Sequence, residues 1–278
     1  MNGFLYINKE KDMTSRDVVN IIRGKIHERK IGHTGTLDPL ATGVLILAVG
    51  SYTKLANYLL HDYKEYEAVM KLGIKTDTGD ITGNIIGKKD FCVSEEDIIN
   101  CFSKFPNKYL QEVPIYSAVK INGKKLYEYA RENIDVKLPK REVCIDNLEF
   151  ISYKDDLIKF KVRVSKGTYI RSLIEDLGKS LNTCATMNEL TRTYQSNVKL
   201  SDCLRIDEVN ENTKLHEIQD IFDYPTYNLN DEEYNRVING NILYIKNSNE
   251  RVLVSYHNII EALYEKKDDN TFHILWKK

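Results

Sequence analysis

The sequence predicts an α+β fold, because strand patterns and helix patterns both occur without the regular alternation of a doubly wound sheet. Residues 65–72 and 158–164 alternate apolar and polar side chains, as strands with one buried face do. Residues 15–27 and 170–181 instead carry apolar side chains at helical spacing. We therefore expect a core in which helices pack on a mixed sheet.

The first helix is predicted between residue 15 and about residue 27. Thr14 and Asp17 have the spacing of a capping box, which satisfies free amide groups in the first turn of a helix. The apolar face of this helix is formed by Val18, Val19, Ile22 and Ile26.

A strand and a second helix follow. The buried positions of the strand are Tyr66, Ala68, Met70 and Leu72. Tyr66 is therefore expected to point to the apolar side of the strand. Ser94 and Asp97 repeat the capping-box spacing and open the second helix. Its predicted apolar stripe consists of Ile98, Ile99, Phe102 and Phe105.

The segment 107–144 is rich in Lys and Tyr, has a mixed pattern, and contains Pro114 and Pro139 near its ends. This composition indicates an excursion from the main body. The strand 158–164 and, after Gly167, the helix 170–181 return the chain to the core. The apolar stripe of that helix consists of Ile170, Leu173, Ile174, Leu177 and Leu181, and Gly178 is its one weak point.

The C-terminal part begins with an acidic stretch, since residues 201–235 hold ten Asp or Glu against two Lys or Arg. Residues 224–229, 251–254 and 271–276 are predicted as short strands, with a turn at 239–241 between the first two. About 55 residues are few for an independent core. We expect a main domain over 1–222, with an insertion at about 107–145, and a small β module over 223–278.

Composition excludes several classes of protein. No stretch approaches the ~18 consecutive apolar residues of a membrane span, and the first residues lack the regions of a signal peptide, so a cytoplasmic protein is expected. The five cysteines contain no CxxC pair, and neither a disulfide framework nor a metal site is predicted. Because no glycine-rich phosphate-binding motif occurs, we expect no nucleotide cofactor.

Charge is unevenly distributed although the formal net charge is only −1. Residues 114–141 hold seven Lys or Arg against three Asp or Glu. Clustered basic residues suit a phosphate-binding face, and a merely solvated surface is the alternative.

Asp38 is the only fully charged side chain between Ile31 and Gly50. It precedes Pro39, which favours an extended conformation at Asp38, and the apolar run 44–49 follows closely. We expect a carboxylate held in a stiff loop at the edge of a buried element. A functional carboxylate and an Asp that only caps its own turn are both open interpretations.

The segment GHTGTLDPLATGVL, residues 32–45, strongly resembles the signature of the TruB-type tRNA pseudouridine synthases. Further family-like segments are INK at 7–9, KEY at 64–66, YSAVK at 116–120, GKKLYEYAR at 123–131 and SKGTYIR at 165–171. The resemblance covers roughly residues 3–200. It implies a pseudouridine synthase fold, with a mixed, mostly antiparallel sheet flanked by helices, and a reduced PUA-like RNA-binding module at the C-terminal end.

The resemblance also implies a reaction, the isomerisation of uridine to pseudouridine at position 55 in the T loop of tRNA. The bond from ribose C1′ to N1 breaks and the base rejoins at C5, so no cofactor is required. Asp38 is implied as the catalytic residue, either as nucleophile or as base. Because the target uridine lies in a folded loop, it must first be extruded.

Four residues are implied around the extruded base. Tyr66 and Tyr169 resemble the active-site tyrosines of the family, and Leu190 resembles an apolar residue that lines the base pocket. Arg171 is expected to hold the catalytic carboxylate, because a planar guanidinium can donate two hydrogen bonds to it. The alternative is a pair between Arg171 and Glu175 one helical turn later.

Two further residues are implied near the catalytic loop. His33 resembles a residue that aids extrusion of the nucleotide, and Lys9 resembles a basic residue that supports the loop. Glu10 and Asp12 stand where the family motif commonly has Pro and Gly, which leaves the geometry of that turn open.

The insertion resembles the thumb that clasps the T arm in this family. Its candidate RNA-binding residues are Lys120, Lys124, Lys125, Arg131, Lys140 and Arg141. The expected partner is tRNA, with no guide RNA and no membrane, and the expected state is a monomer. The alternatives are a catalytically silent RNA-binding or tRNA-folding protein on the same scaffold, and a dyskerin-type synthase that acts with guide RNA and partner proteins.

Overall fold

The computed structural model describes residues 1–61, 63–246 and 249–278. The strands are β1 (Gly3–Lys9), β2 (Ile31–His33), β3 (Thr42–Val49), β4 (Lys64–Leu72), β5 (Ile74–Thr76), β6 (Ile85–Lys88), β7 (Lys108–Glu112), β8 (Lys120–Ile121), β9 (Lys124–Lys125), β10 (Lys140–Lys154), β11 (Leu157–Val164), β12 (Ala185–Gln195), β13 (Val198–Lys199), β14 (Thr226–Asn228), β15 (Leu243–Tyr244), β16 (Arg251–Tyr256), β17 (Ile259–Lys266) and β18 (Thr271–Lys277). The helices are α1 (Ser15–Lys25), α2 (Glu95–Lys104), α3 (Leu126–Arg131), α4 (Ile170–Ser180) and α5 (Asp231–Ile238), and short 3₁₀ turns join some of the other elements.

The larger sheet has nine strands and runs in the order β1-β3-β12-β4-β11-β10-β7, with β2 paired to β3 and β13 to β12. Its pairs are antiparallel except for β12 with β3, which is parallel. The apolar run after the Asp38 loop forms β3, which is buried along almost its whole length. The predicted α+β class and the mixed, mostly antiparallel sheet are therefore confirmed.

The periodic patterns of the sequence correspond to real elements. In β4 and β11 every second side chain is buried, and the five predicted apolar positions of the 170–181 helix are all buried against the sheet. Gly178 has a packing role that the sequence did not reveal. A β-carbon there would overlap the backbone of Ala185, so the close approach of α4 to β12 requires glycine.

Two details of the predicted helices were wrong. The predicted stripe of α2 included Ile99, which is exposed, and Phe105, which follows the last helical residue in an extended conformation. The first helix ends at Lys25, two residues before the predicted end, and His27 adopts a left-handed conformation with φ 53°.

The predicted insertion begins and ends within the larger sheet. β7 pairs with the first residues of β10 at the sheet edge, so the part that leaves the sheet is 113–139. That part, called the insertion segment below, contains the small hairpin of β8 and β9 and the helix α3.

The C-terminal residues form a five-stranded sheet in the order β14-β16-β17-β18-β15. The three predicted strands are present as β14, β16 and β18. The sequence interpretation missed β15, β17 and α5. The turn at 239–240 closes α5 and does not join two strands directly, because Asn230 caps a helix in between.

The C-terminal sheet packs against the main domain. The Trp276 ring lies edge-on to Tyr52, with 5.0 Å between ring centroids, and its Nε1 donates to the carbonyl oxygen of Ser51 at 3.2 Å. Leu253 and Leu263 join the same apolar cluster as Phe4 of β1. The two predicted domains thus share buried surface, and the division at 222/223 stays a prediction. Within the described residues, no helix is long and apolar enough to cross a bilayer.

Candidate active site

A cavity of about 840 Å³ opens beside the loop that carries Asp38. Its walls come from that loop, from β4 and β12, from the start of α4 with the turn before it, and from the insertion segment. The predicted site residues that line it are Asp38, Tyr66, Tyr169, Arg171, Leu190 and Arg141. The fold thus brings together residues from five separate parts of the sequence.

Asp38 and Arg171 form a two-pronged ion pair at the wall of this cavity. Arg171 Nε lies 2.9 Å from Asp38 Oδ2, and Arg171 Nη2 donates to Asp38 Oδ1 at 3.2 Å. The arginine side chain is 7% exposed and the carboxylate 34%, so the cation is buried while the carboxylate still faces the cavity. Glu175, the alternative partner of Arg171, instead forms an ion pair with Lys75, with 3.6 Å between Glu175 Oε2 and Lys75 Nζ.

The turn around Asp38 is closed by the backbone, because the amide of Ala41 donates to the carbonyl oxygen of Asp38 at 3.0 Å. Within the described residues, the hydrogen bond and the ion pair of the Asp38 carboxylate both go to Arg171. This geometry favours a functional carboxylate over a side chain that only caps its own turn.

Arg171 also joins the Asp38 loop to two other parts of the chain. Its Nη1 donates to the carbonyl oxygen of Thr78 at 2.9 Å, and its Nη2 to that of Tyr116 at 3.0 Å. Thr78 lies in the turn between β5 and β6, and Tyr116 lies in the insertion segment. One buried guanidinium therefore fixes the carboxylate relative to both.

The turn that carries Thr78 is itself organised by Asp80, which is buried. Asp80 Oδ1 accepts from the Thr78 hydroxyl and from the Thr82 amide, each at 3.0 Å. The carbonyl oxygen of Asp80 accepts from the Thr76 hydroxyl at 2.7 Å. These bonds hold the carbonyl of Thr78 toward Arg171, a contribution that sequence reasoning did not identify.

Lys9 lies beneath the Asp38 loop and outside the cavity. It is 0% exposed, and its Nζ donates to the carbonyl oxygens of Met13 at 2.6 Å, Glu10 at 2.9 Å and Pro39 at 3.3 Å. Burial lowers the pKa of Lys9 to about 8, against the opposite effect of the nearby Asp38 carboxylate. The bond to Pro39 attaches the ammonium directly to the residue after Asp38.

The turn after Lys9 keeps a tight geometry despite lacking the usual glycine. Asp12 adopts the left-handed conformation, with φ 66°, and its amide donates to the carbonyl oxygen of Pro39 at 2.9 Å. Asp is among the residues that tolerate this region. The backbone of Asp12 thus forms the turn at the position where the family motif commonly has glycine.

Arg192 is a buried residue of the site to which the sequence interpretation gave no role. Its side chain is 1% exposed, and its Nε and Nη2 donate to the carbonyl oxygens of Val44 at 2.7 Å and Gly35 at 3.1 Å. Leu190 and Arg192 are two residues apart on β12 and face the same side, as alternation in a strand requires. That alternation was the signal that could have revealed Arg192.

Two polar side chains complete the support of the loop. Ser15 Oγ accepts from the amide of Leu37 at 2.9 Å and donates to its carbonyl oxygen at 3.2 Å. Gln195 Nε2 donates to the carbonyl oxygen of Thr34 at 3.0 Å. Single Ser and Gln residues carry no pattern that distinguishes such roles in a sequence.

The two predicted tyrosines reach the cavity from different elements. Tyr66 lies on β4 beside Arg192 of β12 in the strand register, and Tyr169 directly precedes α4. The amide of Tyr169 donates to Gln111 Oε1 at 2.8 Å, and the buried Gln111 in turn donates to the Tyr109 hydroxyl at 2.7 Å. The edge strand β7 thus fixes the position of Tyr169.

His33 does not line the cavity that contains Asp38. It lines a second cavity, of about 530 Å³, together with Arg16, Asn20 and Arg23 of α1. Burial, and to a lesser degree Arg192, lowers the pKa of His33, which favours the neutral imidazole. The Nδ1 atom of His33 is buried and has no hydrogen-bond partner among the described residues.

The predicted RNA-binding residues of the insertion are interleaved with tyrosines. Lys125 Nζ donates to the Tyr127 hydroxyl at 3.0 Å, and Arg131 lies over the Tyr127 ring at 5.3 Å. Lys124 forms an ion pair with Glu132. Tyr127 lines the cavity, whereas Lys120, Lys124, Lys125, Arg131 and Lys140 lie outside its lining.

The described residues contain no group of three or more His, Cys, Asp or Glu side chains placed to hold a metal ion. The charged and polar residues that line the cavity include Asp38 and Glu142, the cations Arg171 and Arg192 that hold Asp38 or its loop, and several tyrosines. This arrangement suits a reaction carried out by protein side chains on a planar base.

Fold and site together define a pseudouridine synthase. Residues 23–170 match the family described as TruB family pseudouridylate synthase (N terminal domain). Relatives named tRNA pseudouridine synthase B include that of Clostridium tetani, 42% identical over 212 residues, which covers 76% of this chain and 73% of the relative. That of Mesoplasma florum is 38% identical over 282 residues, covering 98% and 96%.

The fold is also similar to a solved structure. One chain of an H/ACA RNP bound to a substrate RNA containing 2′-deoxyuridine superposes with a TM-score of 0.72 at 22% identity, covering 99% of this chain and 84% of that chain. At this identity the likeness concerns the fold alone. The chain belongs to the TruB family of pseudouridylate synthases, and the resemblance seen in its motifs is confirmed.

Proposed function

We propose that this chain is an isomerase that converts uridine to pseudouridine in tRNA, at position 55 of the T loop. Membership of the TruB family and the names of its relatives support this function. The observation that carries the proposal is the Asp38 carboxylate, which faces the cavity while the buried Arg171 holds both of its oxygens.

The reaction needs no atoms from outside the substrate. The bond from C1′ to N1 breaks, the base turns, and a bond from C1′ to C5 forms; C5 then loses its proton and N1 gains one. Asp38 has two routes open to it: attack on C1′ as a nucleophile, or removal of a ribose proton as a base. Both routes use the carboxylate oxygens, which Arg171 holds at the cavity wall.

The other lining residues recognise and enclose the base. The Tyr66 and Tyr169 rings offer flat faces for stacking and hydroxyl groups for hydrogen bonds, and Leu190 supplies an apolar wall. A cavity of about 840 Å³ is large enough for a nucleotide. Extrusion of the uridine costs a few kcal/mol, which stacking and contacts outside the cavity must offset.

Contacts with the tRNA arm are proposed for the insertion segment. Tyr116, Ser117 and Tyr127 of this segment line the cavity, and its basic residues, which lie outside the lining, are available to contact the arm around the extruded base. Because the chain carries this basic surface itself, we propose that it binds tRNA as a monomer without guide RNA. We further propose that it acts in the cytoplasm, where tRNA is its substrate.

The test is to incubate the protein with an unmodified tRNA transcript and to map pseudouridine by chemical labelling and primer extension. We expect pseudouridine at position 55 without any added cofactor. The Asp38→Asn variant keeps the shape of the side chain but lacks the carboxylate, so its single-turnover product formation should disappear while its affinity for tRNA is retained.

Two results would contradict the proposal. Substantial turnover by an Asp38→Asn protein free of wild-type enzyme would remove the carboxylate from the chemistry. Tight tRNA binding without any pseudouridine formation by the wild-type protein would instead favour the silent RNA-binding protein on the same scaffold.

A further inference from the structure

The second cavity, which we call the α1 cavity, lies between α1 and β2 and has a volume of about 530 Å³. Its polar lining consists of Arg16, Asn20, Arg23 and His33. Within the described residues, no carboxylate lines it. Two guanidinium groups, an amide and an imidazole form a surface suited to an anion with several oxygen acceptors.

The polar groups of the α1 cavity are partly fixed and partly free. Arg23 is fixed, because its Nη1 donates to Asn20 Oδ1 and its Nε to the carbonyl oxygen of Arg29, both at 3.1 Å. Arg16 is exposed and forms no hydrogen bond or ion pair with the residues that the structure describes. The orphaned Nδ1 of His33 is a second polar group without a partner among the described residues.

The α1 cavity lies next to the catalytic loop. His33 ends β2, and only Thr34 separates it from Gly35, which lines the Asp38 cavity. Two residues of extended chain span at most about 7 Å. The insertion segment is also near, because the positive charge of Arg16 acts on Lys125 of that segment and lowers its pKa. The bond from Lys125 to Tyr127 has the larger effect, so the pKa of Lys125 is raised overall.

An RNA whose uridine enters the Asp38 cavity must place its neighbouring backbone beside the catalytic loop, because the extruded nucleotide remains attached on both sides. Phosphate contacts fix the register of a nucleic acid on a protein without reading its sequence. The α1 cavity offers cations next to this loop, because His33 of its lining is two residues from Gly35 of the Asp38 cavity.

We propose that the α1 cavity binds a backbone phosphate of the substrate RNA next to the extruded uridine, with Arg16 and Arg23 as its cationic ligands. This inference rests on the proposed function, because it assumes that uridine enters the Asp38 cavity. The bound phosphate sets which nucleotide reaches Asp38. Neither arginine acts on the reacting atoms.

The test compares RNA binding by wild-type protein, Arg16→Ala, Arg23→Ala and the double variant, with an unmodified T-arm stem-loop over a range of salt concentrations. The dissociation constant of the double variant should rise by about tenfold or more, as expected when charge-assisted hydrogen bonds are removed. For the double variant, the slope of log K against log salt concentration should become shallower by about 0.7–0.9 for each phosphate that is no longer neutralised. Arg29→Ala removes a nearby exposed charge outside the cavity and serves as the matched control, with the wild-type slope.

Arg16→Ala also separates the site from a folding defect, because Arg16 has no protein partner to lose and the variant should melt as the wild type does. An unchanged salt slope in the double variant, or an equal loss of affinity in Arg29→Ala, would overturn the inference. The slope is measured by binding alone. Absence of pseudouridine formation by the wild-type protein would therefore refute the proposed function. Phosphate binding in the α1 cavity would still be tested separately by the salt slope.

Discussion

At the scale of single residues, the site depends on how Arg171 is buried. The Arg171 guanidinium is buried, whereas the Asp38 carboxylate lies at the cavity wall. The charge removed from water is therefore that of an arginine, a side chain that stays charged in proteins. Hydrogen bonds to the carbonyl oxygens of Thr78 and Tyr116 compensate for the lost hydration. The result is a carboxylate that has a fixed orientation and remains exposed to the cavity.

Arg171→Lys tests this orientation. A lysine keeps the positive charge but cannot donate to both carboxylate oxygens and to two carbonyl groups from a fixed plane. We expect single-turnover product formation to fall by about a hundredfold, as for a small misplacement of a reacting group. Arg163→Lys, at an exposed ion pair with Asp146, is the matched control and should remain near wild type. Wild-type turnover by Arg171→Lys would show that the orientation of Asp38 does not depend on the arginine.

Lys9 makes stability depend on pH. Burial lowers its pKa from 10.5 to about 8 in the folded protein, so the unfolded chain binds more protons at this group between pH 8 and 10.5. The contribution of Lys9 to the free energy of unfolding therefore rises with pH in that window. Below pH 8 both states are protonated, and the full cost of burying the charge is present.

Lys9→Met removes that titration. The difference in the free energy of unfolding, wild type minus variant, should increase from pH 7 to pH 10, with a slope of up to about 1.4 kcal/mol per pH unit. Denaturant unfolding at several pH values measures it, and other titrating groups cancel in the difference. A difference that stays constant over this range would mean that Lys9 keeps its proton in both states.

At the scale of secondary-structure elements, the turn between β5 and β6 helps to position the Asp38–Arg171 ion pair. Asp80 orders this turn, and the turn presents the carbonyl oxygen of Thr78 to Arg171. Met187 of β12 attaches the turn to the larger sheet through hydrogen bonds with Gly79 and Ile81. An error in this turn would therefore be transmitted to the carboxylate through one guanidinium.

Asp80→Ala should lower the single-turnover rate by about tenfold to a hundredfold, because a displaced Arg171 misplaces Asp38. Asp80→Asn keeps an acceptor oxygen for Thr78 and Thr82 and should recover much of the rate. The affinity for tRNA should change little in either variant, since Asp80 does not line the cavity. Weaker RNA binding at an unaltered rate would show that this turn contacts RNA and does not position Arg171.

The elements that the sequence predicted are those whose periodicity is strong. β4, β11 and α4 each bury one complete face against the sheet, and that burial is what the pattern records. α5 was missed although Asn230 and Glu233 form a capping box, because the helix is only eight residues long and buries only Val237 fully. A short polar helix leaves too little periodicity to distinguish it from a loop.

The residues of the site likewise fall into those that the sequence predicted and those that it did not. Asp38 and Arg171 stood out through the family motifs. Arg192 instead donates to the carbonyl oxygens of Val44 and Gly35, which only the fold brings near, and Asp80 acts indirectly by ordering the turn that carries Thr78. His33 and Lys9 were identified by motif but lie outside the cavity with Asp38: His33 lines the α1 cavity, and Lys9 is buried with its Nζ bonded to the carbonyl oxygen of Pro39. Spacing along the chain does not reveal on which side of a loop a side chain lies.

At the scale of the whole molecule, the C-terminal sheet and the main domain stabilise each other. Trp276 of β18 is 2% exposed and packs on Tyr52, which in turn lies 5.1 Å from the Phe4 ring. The β module is small for an independent core, and this shared cluster extends that core into the larger sheet. Disruption of the cluster should therefore destabilise both parts together.

Trp276→Ala tests this coupling. We expect a loss of about 3–5 kcal/mol in the free energy of unfolding, because a large buried ring is replaced by a cavity. Unfolding should remain one transition, followed both by tyrosine fluorescence and by loss of pseudouridine formation at the same temperature. Tyr244→Ala, at an exposed position of the same sheet, is the control and should melt near wild type. An early transition in Trp276→Ala that leaves turnover intact would show that the module unfolds by itself and that its core is independent of the main domain.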